Sequence, residues 1–241
     1  MLKLLKAEIK ALLKWRASTY MVATMIFLGL FAVFINIGSD SPTLDGMFVF
    51  PYIGMMICSV ISGLYLYRDY SQNTIRNKIS VGHSRCSIYF AKVITIFIFM
   101  LFNIALLLAL NILAGSIFGD IEYVDWNILA QNLLMTFANL CVVVTITTIF
   151  AINIQSPVGA MVPMMLMFAF MFAGMILMEM FVINENTEMI ELFKILPLMS
   201  QQFLLETEKP FDLPATLIMS GAFTLIVQYL GFCIFRKLDL K

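Results

Sequence analysis

Six long apolar stretches divide the chain, with short polar segments between them. They cover residues 19–37, 47–67, 93–118, 133–154, 157–183 and 215–235. About 20 apolar residues carry an α-helix across the hydrocarbon of a bilayer, so each stretch predicts a span. The only formal charge inside them is Glu179, close to the end of the fifth. Charges at mid-bilayer cost about 2.5–3.5 kcal/mol even on a lenient insertion scale, which explains their exclusion. The pattern predicts an all-α integral membrane protein of six transmembrane helices, forming one domain over residues 1–241.

A different period precedes the first span. Leu2, Leu5, Ile9, Leu12 and Leu13 recur at three- and four-residue spacing, while Lys3, Lys6, Lys10 and Lys14 occupy another face. Residues 1–16 therefore read as an amphipathic helix lying in the membrane interface, with the lysines and Arg16 as anchors among anionic lipid headgroups. The plainer alternative is a basic flank before a first span.

The basic residues orient the chain. With the N-terminus cytoplasmic, 13 of the 15 lysines and arginines lie inside, and only Lys194 and Lys209 lie outside. The outer loops instead carry acids, among them Asp40, Asp120, Glu185 and Glu206. This positive-inside bias places both termini in the cytoplasm and agrees with an even number of spans. The longest outer loop, residues 184–214, holds a helix-like stretch from Glu188 to Leu196 before Pro197.

Composition narrows the function. Apolar residues make up 61% of the chain and charged ones 12%, about half the charged share of a soluble domain. A net charge of zero argues against nucleic acid as a partner. No phosphate-loop motif occurs, so any ATP-driven work needs hydrolysis on another chain. The single histidine, His83, reads as a polar loop residue. No nucleophile elbow and no acid pair at bilayer depth are present, so the chain is not expected to be an enzyme. Cys58, Cys86, Cys141 and Cys233 lack metal-ligand or redox spacing, and no metal site is expected. Glu179 reads as interfacial rather than as an ion-coupling acid. Asn103, Asn111, Asn139 and Gln228 read as amides joining helices within the membrane. The fifth span is crowded with methionine and phenylalanine, which suits a greasy cargo of variable shape as well as lipid-facing filler.

The cytoplasmic loop of residues 68–92 carries the most pattern. Ser71 or Asn73 could cap a short helix with Ile75 and Ile79 on one face, and Gly82 ends it. A second helix starts near Ser84 and feeds the third span. The run Asp69, Asn73-Thr74, Ile75-Arg76-Asn77-Lys78-Ile79, Gly82, Ser84-Arg85 and Lys92 resembles the corresponding loop of type 2 permeases of ATP-binding-cassette (ABC) transporters. It is similar to a branch common in Gram-positive bacteria. Asn73 stands where that family usually has glycine, and no proline precedes Ser84.

The resemblance implies the membrane-spanning subunit of an exporter in a bacterial cytoplasmic membrane. Asp69, Asn73, Thr74, Ile75, Arg76, Lys78, Ser84 and Arg85 would form a coupling helix and its flanks, set in a groove of a separate nucleotide-binding ATPase subunit that holds ATP and Mg. A second permease copy, identical or not, would complete the transporter. The second and fifth spans would line a central cavity between the two permeases, with Met55, Met56, Ser59, Met164, Phe168 and Met171 along the substrate pathway. Some branches export amphipathic or antimicrobial peptides, including phenol-soluble-modulin exporters and bacteriocin-immunity systems, which makes an amphipathic peptide the first expectation for cargo. An ion-coupled carrier and a non-transporting immunity or scaffold protein are the competing readings.

Overall fold

A computed structural model describes residues 2–36, 49–118, 126–183, 195–198 and 213–237. Eight helices fill the long described segments: α1 (Leu2–Leu13), α2 (Arg16–Asn36), α3 (Val49–Ser71), α4 (Thr74–Ser80), α5 (Arg85–Phe118), α6 (Trp126–Ile154), α7 (Pro157–Ile183) and α8 (Leu213–Lys237). The described residues contain no strand. Five helices, α3 and α5 to α8, are each long and apolar enough to cross a membrane. The pair α1 and α2 passes the same test together, bent by 67° at the break. The chain is an all-helical, multi-pass membrane protein, as its apolar pattern predicts. The helical segment expected between Glu188 and Leu196 lies almost entirely outside the described residues.

The helices are longer than several of the apolar runs because polar residues finish their ends. α5 begins eight residues before the hydrocarbon-length stretch, and Ser84 caps it: its hydroxyl accepts a hydrogen bond from the Ser87 amide at 3.2 Å, the N-cap arrangement. Pro157 opens α7, where a missing N–H costs no helical bond.

α3 and α6 form the middle of the bundle, while most of α7 and α8 faces outward. α3 meets α7 closely, because Gly63 has no side chain: a Cβ there would lie 2.7 Å from Ala160 Cα. Small residues permit this approach of two backbones in a membrane. On α7 the inward seam is Ala160, Pro163, Met167 and Gly174, and Met167 accepts a bond from Tyr52 at its carbonyl, 3.0 Å away. Of the other α7 methionines and phenylalanines whose side chains are described, all but the half-buried Met171 are exposed.

The membrane amides behave in two ways. The Gln228 amino group lies 3.2 Å from Thr145 Oγ1 and 3.3 Å from Thr148 Oγ1, and its carbonyl accepts from the Tyr89 hydroxyl at 2.7 Å, so one side chain ties α8 to α6 and α5. Asn139 Oδ1 accepts from the Leu198 amide at 3.1 Å. Asn103 departs from the expectation: its amino group turns back to Phe99 of its own helix at 2.8 Å. That bond closes within one helical turn and needs no neighbour.

Candidate functional site

The segment from α3 to α5 folds as a compact reversal around α4. At about 100° per residue, seven residues give two turns, enough to present one face inward and one outward. Ile75 fills the inward face and is buried. The reversal needs a left-handed residue at its entry, and Asn73 supplies it with φ 53° and ψ 22°. Asparagine is one of the few side chains that tolerates this region, which glycine adopts freely. Asn73 thus caps α4 by backbone conformation, with no side-chain cap bond. The alternative cap, Ser71, instead donates to the Arg68 carbonyl at 2.8 Å. The Thr74 hydroxyl donates to the Asp69 carbonyl at 3.1 Å and closes the corner.

Gly82, with φ 96°, ends the helix as the sequence predicts. Its amide reaches Ile79 O at 2.9 Å, and the His83 amide reaches Lys78 O at 3.1 Å. This is the Schellman pattern of a helix stopped by a left-handed glycine.

Beneath α4 lies a closed cluster of charges. Lys78 of α4 pairs with Glu8 of α1 and, at 3.2 Å, with Asp69 of α3. Lys92 of α5 pairs with both Glu8 and Asp69. Two acids and two ammonium groups from four helices neutralise one another. Lys92, Glu8 and Asp69 are nearly fully buried, and Lys78 is partly exposed. Tyr65 covers one side: its hydroxyl lies 2.9 Å from Glu8 Oε2, and Lys92 Nζ sits 4.6 Å from its ring centre. The Arg68 guanidinium stacks over Tyr65 and Trp15, 4.9 and 5.2 Å from the two ring centres. Burial by itself would raise the pKa of Glu8, but the adjacent Lys92 and Lys78 outweigh it and hold the carboxyl below its ordinary value. Burial would likewise lower Lys78, yet Asp69 and Glu8 keep it above its ordinary value.

The residues expected to contact an ATPase therefore fall into two groups. Asp69, Ile75 and Lys78 face the body of the chain and hold α4 in place. Ser84 caps α5, and Arg85 Nη1 donates to the Arg236 carbonyl at the end of α8, at 2.8 Å. Asn73 and Arg76 are exposed, together with Asn77, Ser80, Val81 and His83. Val81 is 79% exposed, an apolar side chain presented among polar ones. Thr74 is half-buried at the corner.

The six pathway residues divide between the core and the surface of the chain. Met55, Met56 and Ser59 are closed into the core, and the Ser59 hydroxyl donates to Met56 O at 2.6 Å. Met164 and Phe168 lie on the exposed side of α7, and Met171 is half-buried against the core. The anchors Lys3, Lys6, Lys10, Lys14 and Arg16 are all exposed. The apolar stripe expected on α1 is divided: Leu12 joins Leu4 and Glu8 on the buried face, whereas Leu2 and Leu13 are exposed. The spacing Leu4-Glu8-Leu12 is the local signal that marks Glu8, an acid in line with two buried leucines.

Among the described residues no group of three or more histidine, cysteine, aspartate or glutamate side chains is placed to hold a metal. The arrangement is a short helix, fixed on one face and open on the other. A family model described as "ABC-2 family transporter protein" matches residues 4–174, a span that includes most of α1, all of α4 and every member of the charge cluster. No curated protein matches the chain.

Proposed function

The chain belongs to the ABC-2 family of transporter proteins, the membrane subunits of ABC transporters, and from that premise we propose that it is the permease of an ATP-driven exporter, worked by a separate ATPase through α4. The observation that carries this reading is the two-sidedness of α4. Its inner face is locked by Ile75 and Lys78, so a push on its outer face moves α3, α5 and α1 together. Its outer face offers Arg76, Asn77, Ser80 and Val81 to a partner.

In this account α4 and both termini are cytoplasmic, supported by the asymmetry of lysine and arginine along the chain. ATP and Mg are bound by the partner subunit, and two permeases assemble around the translocation path. The exposed side of α7, with Met161, Met164, Met165, Phe168 and Met175, faces that path or the second permease. Methionine repacks against apolar partners of many shapes, so an amphipathic peptide, as in the peptide-exporting Gram-positive branch, is the proposed cargo.

Arg76→Glu combined with Val81→Asp tests the contact, since both side chains are exposed and neither supports the fold. The variant is expected to lose co-purification with its ATPase and cargo-stimulated hydrolysis while keeping wild-type thermal stability. Unchanged assembly and hydrolysis would remove α4 from the drive.

A further inference from the structure

α1 has three faces, and each has a different neighbour. Leu4, Glu8 and Leu12 are buried against the chain itself. Leu2, Leu5, Ile9 and Leu13 follow around the helix, with Leu2 75% and Leu13 67% exposed. Lys3, Lys6, Lys10 and Lys14 come next, all exposed, and Arg16 extends them past the bend. The one acid of α1, Glu8, is consumed by Lys78 and Lys92, so the outward charge of α1 is entirely positive.

An exposed apolar stripe beside a row of ammonium groups fits the boundary between acyl chains and headgroups. Beyond the 67° bend, Tyr20 and Phe27 of α2 are also exposed, and the two helices together are long and apolar enough to cross a membrane. Exposed apolar side chains on both limbs of this pair favour lipid over a protein as the occupant.

We propose that the lysine face of α1 binds anionic phospholipid headgroups, and that this binding strengthens the hold of Glu8 on α4. Lipid holds α1 against the bundle in the described orientation, in which Glu8 reaches both Lys78 and Lys92. By linkage, a ligand favouring docked α1 favours every contact made only in that state, including the Glu8–Lys78 pair. The lipid composition of the membrane thereby sets the stiffness of the contact through which a partner ATPase acts. This last consequence rests on the function proposed above, whereas the binding and its effect on α4 do not.

The test uses the full chain alone, in nanodiscs of phosphatidylcholine and in nanodiscs of equal parts phosphatidylcholine and phosphatidylglycerol. Hydrogen exchange at the amides of Thr74–Ser80 is the readout, and it needs no ATPase. Phosphatidylglycerol is expected to slow exchange in α4 by about tenfold. Changing Lys3, Lys6, Lys10 and Lys14 to Gln is expected to abolish that response. Glu8→Gln is expected to abolish it too, while Trp15 fluorescence remains quenched by brominated phosphatidylglycerol, which shows α1 still at the lipid. Equal exchange in the two membranes overturns the proposal. So does a lipid response that survives in the lysine variant. Failure here leaves the ATPase contact at Arg76 and Val81 untouched, because that contact is read by co-purification.

Discussion

Two junctions meet on the first turns of α5, and they are built differently. On one side Lys92 enters a buried cluster with Glu8, Asp69 and Lys78. Three residues earlier, Tyr89 enters a neutral junction with Gln228, Thr145 and Thr148. Both join three or more helices, and both are largely buried, with Lys78 and Gln228 partly exposed. They differ in what remains if one member is removed. A neutral amide leaves behind hydroxyls that can bond their own helix: Thr145 already donates to Cys141 O at 2.8 Å, and Thr148 to Thr145 O at 3.0 Å. A lysine leaves behind buried carboxylates facing too few cations. The neutral junction therefore adheres, while the ionic one enforces a single arrangement of α1, α3, α4 and α5. In the function proposed above, α4 transmits a push and so needs the second kind of support.

The comparison breaks most visibly at Lys92. Lys92→Gln strands Glu8 and Asp69 against Lys78 alone and is expected to lower stability by about 3–5 kcal/mol. Denaturation of the purified chain in mixed micelles measures this; a loss of under about 1 kcal/mol would place the cluster with ordinary surface pairs. A junction held by shape alone should fall next. Gly63→Leu forces a side chain into Ala160 Cα and is expected to cost about 1–3 kcal/mol in the same assay.

The corner before α4 sharpens the picture further. Asn73→Val places a β-branched residue at φ 53° and is expected to cost about 1–2 kcal/mol, read as faster hydrogen exchange confined to α4. Asn73→Gly should leave exchange at or below the wild-type rate. The neutral junction gives the smallest effect: Gln228→Leu is expected to cost about 1 kcal/mol or less, and a loss as large as that of Lys92→Gln would erase the distinction drawn here.

The span pattern was legible because apolar length is itself the physical requirement for crossing a bilayer. The fifth apolar run and α7 share the same bounds, 157–183. α5 and α6 begin earlier than their runs, since caps and polar first turns continue a helix into the headgroup region without adding hydropathy. The turn at Asn73 and the stop at Gly82 were legible from residue type, because few side chains accept a left-handed backbone. The ion cluster was not legible as a cluster. Lys78 and Asp69 are close in sequence, but Lys92 lies 84 residues from Glu8, and charge alone does not name a partner across that distance. Periodicity placed Lys3, Lys6, Lys10 and Lys14 outward on α1 but could not divide its apolar side between lipid and protein, which only packing decides. The chain buries Met55, Met56 and Ser59 of α3 and exposes Met164 and Phe168 of α7, a division that apolar residue type alone does not mark.

The central claim, that a separate ATPase drives this permease through the open face of α4, is tested most directly by a photo-crosslinker introduced at Val81 in the assembled transporter. The account predicts a crosslink to the ATPase subunit, weakened when ATP traps the complex in another state, and none from the same group placed at the buried Ile75. Capture of lipid alone, or reaction of that site with an impermeant reagent added outside intact cells, would contradict it.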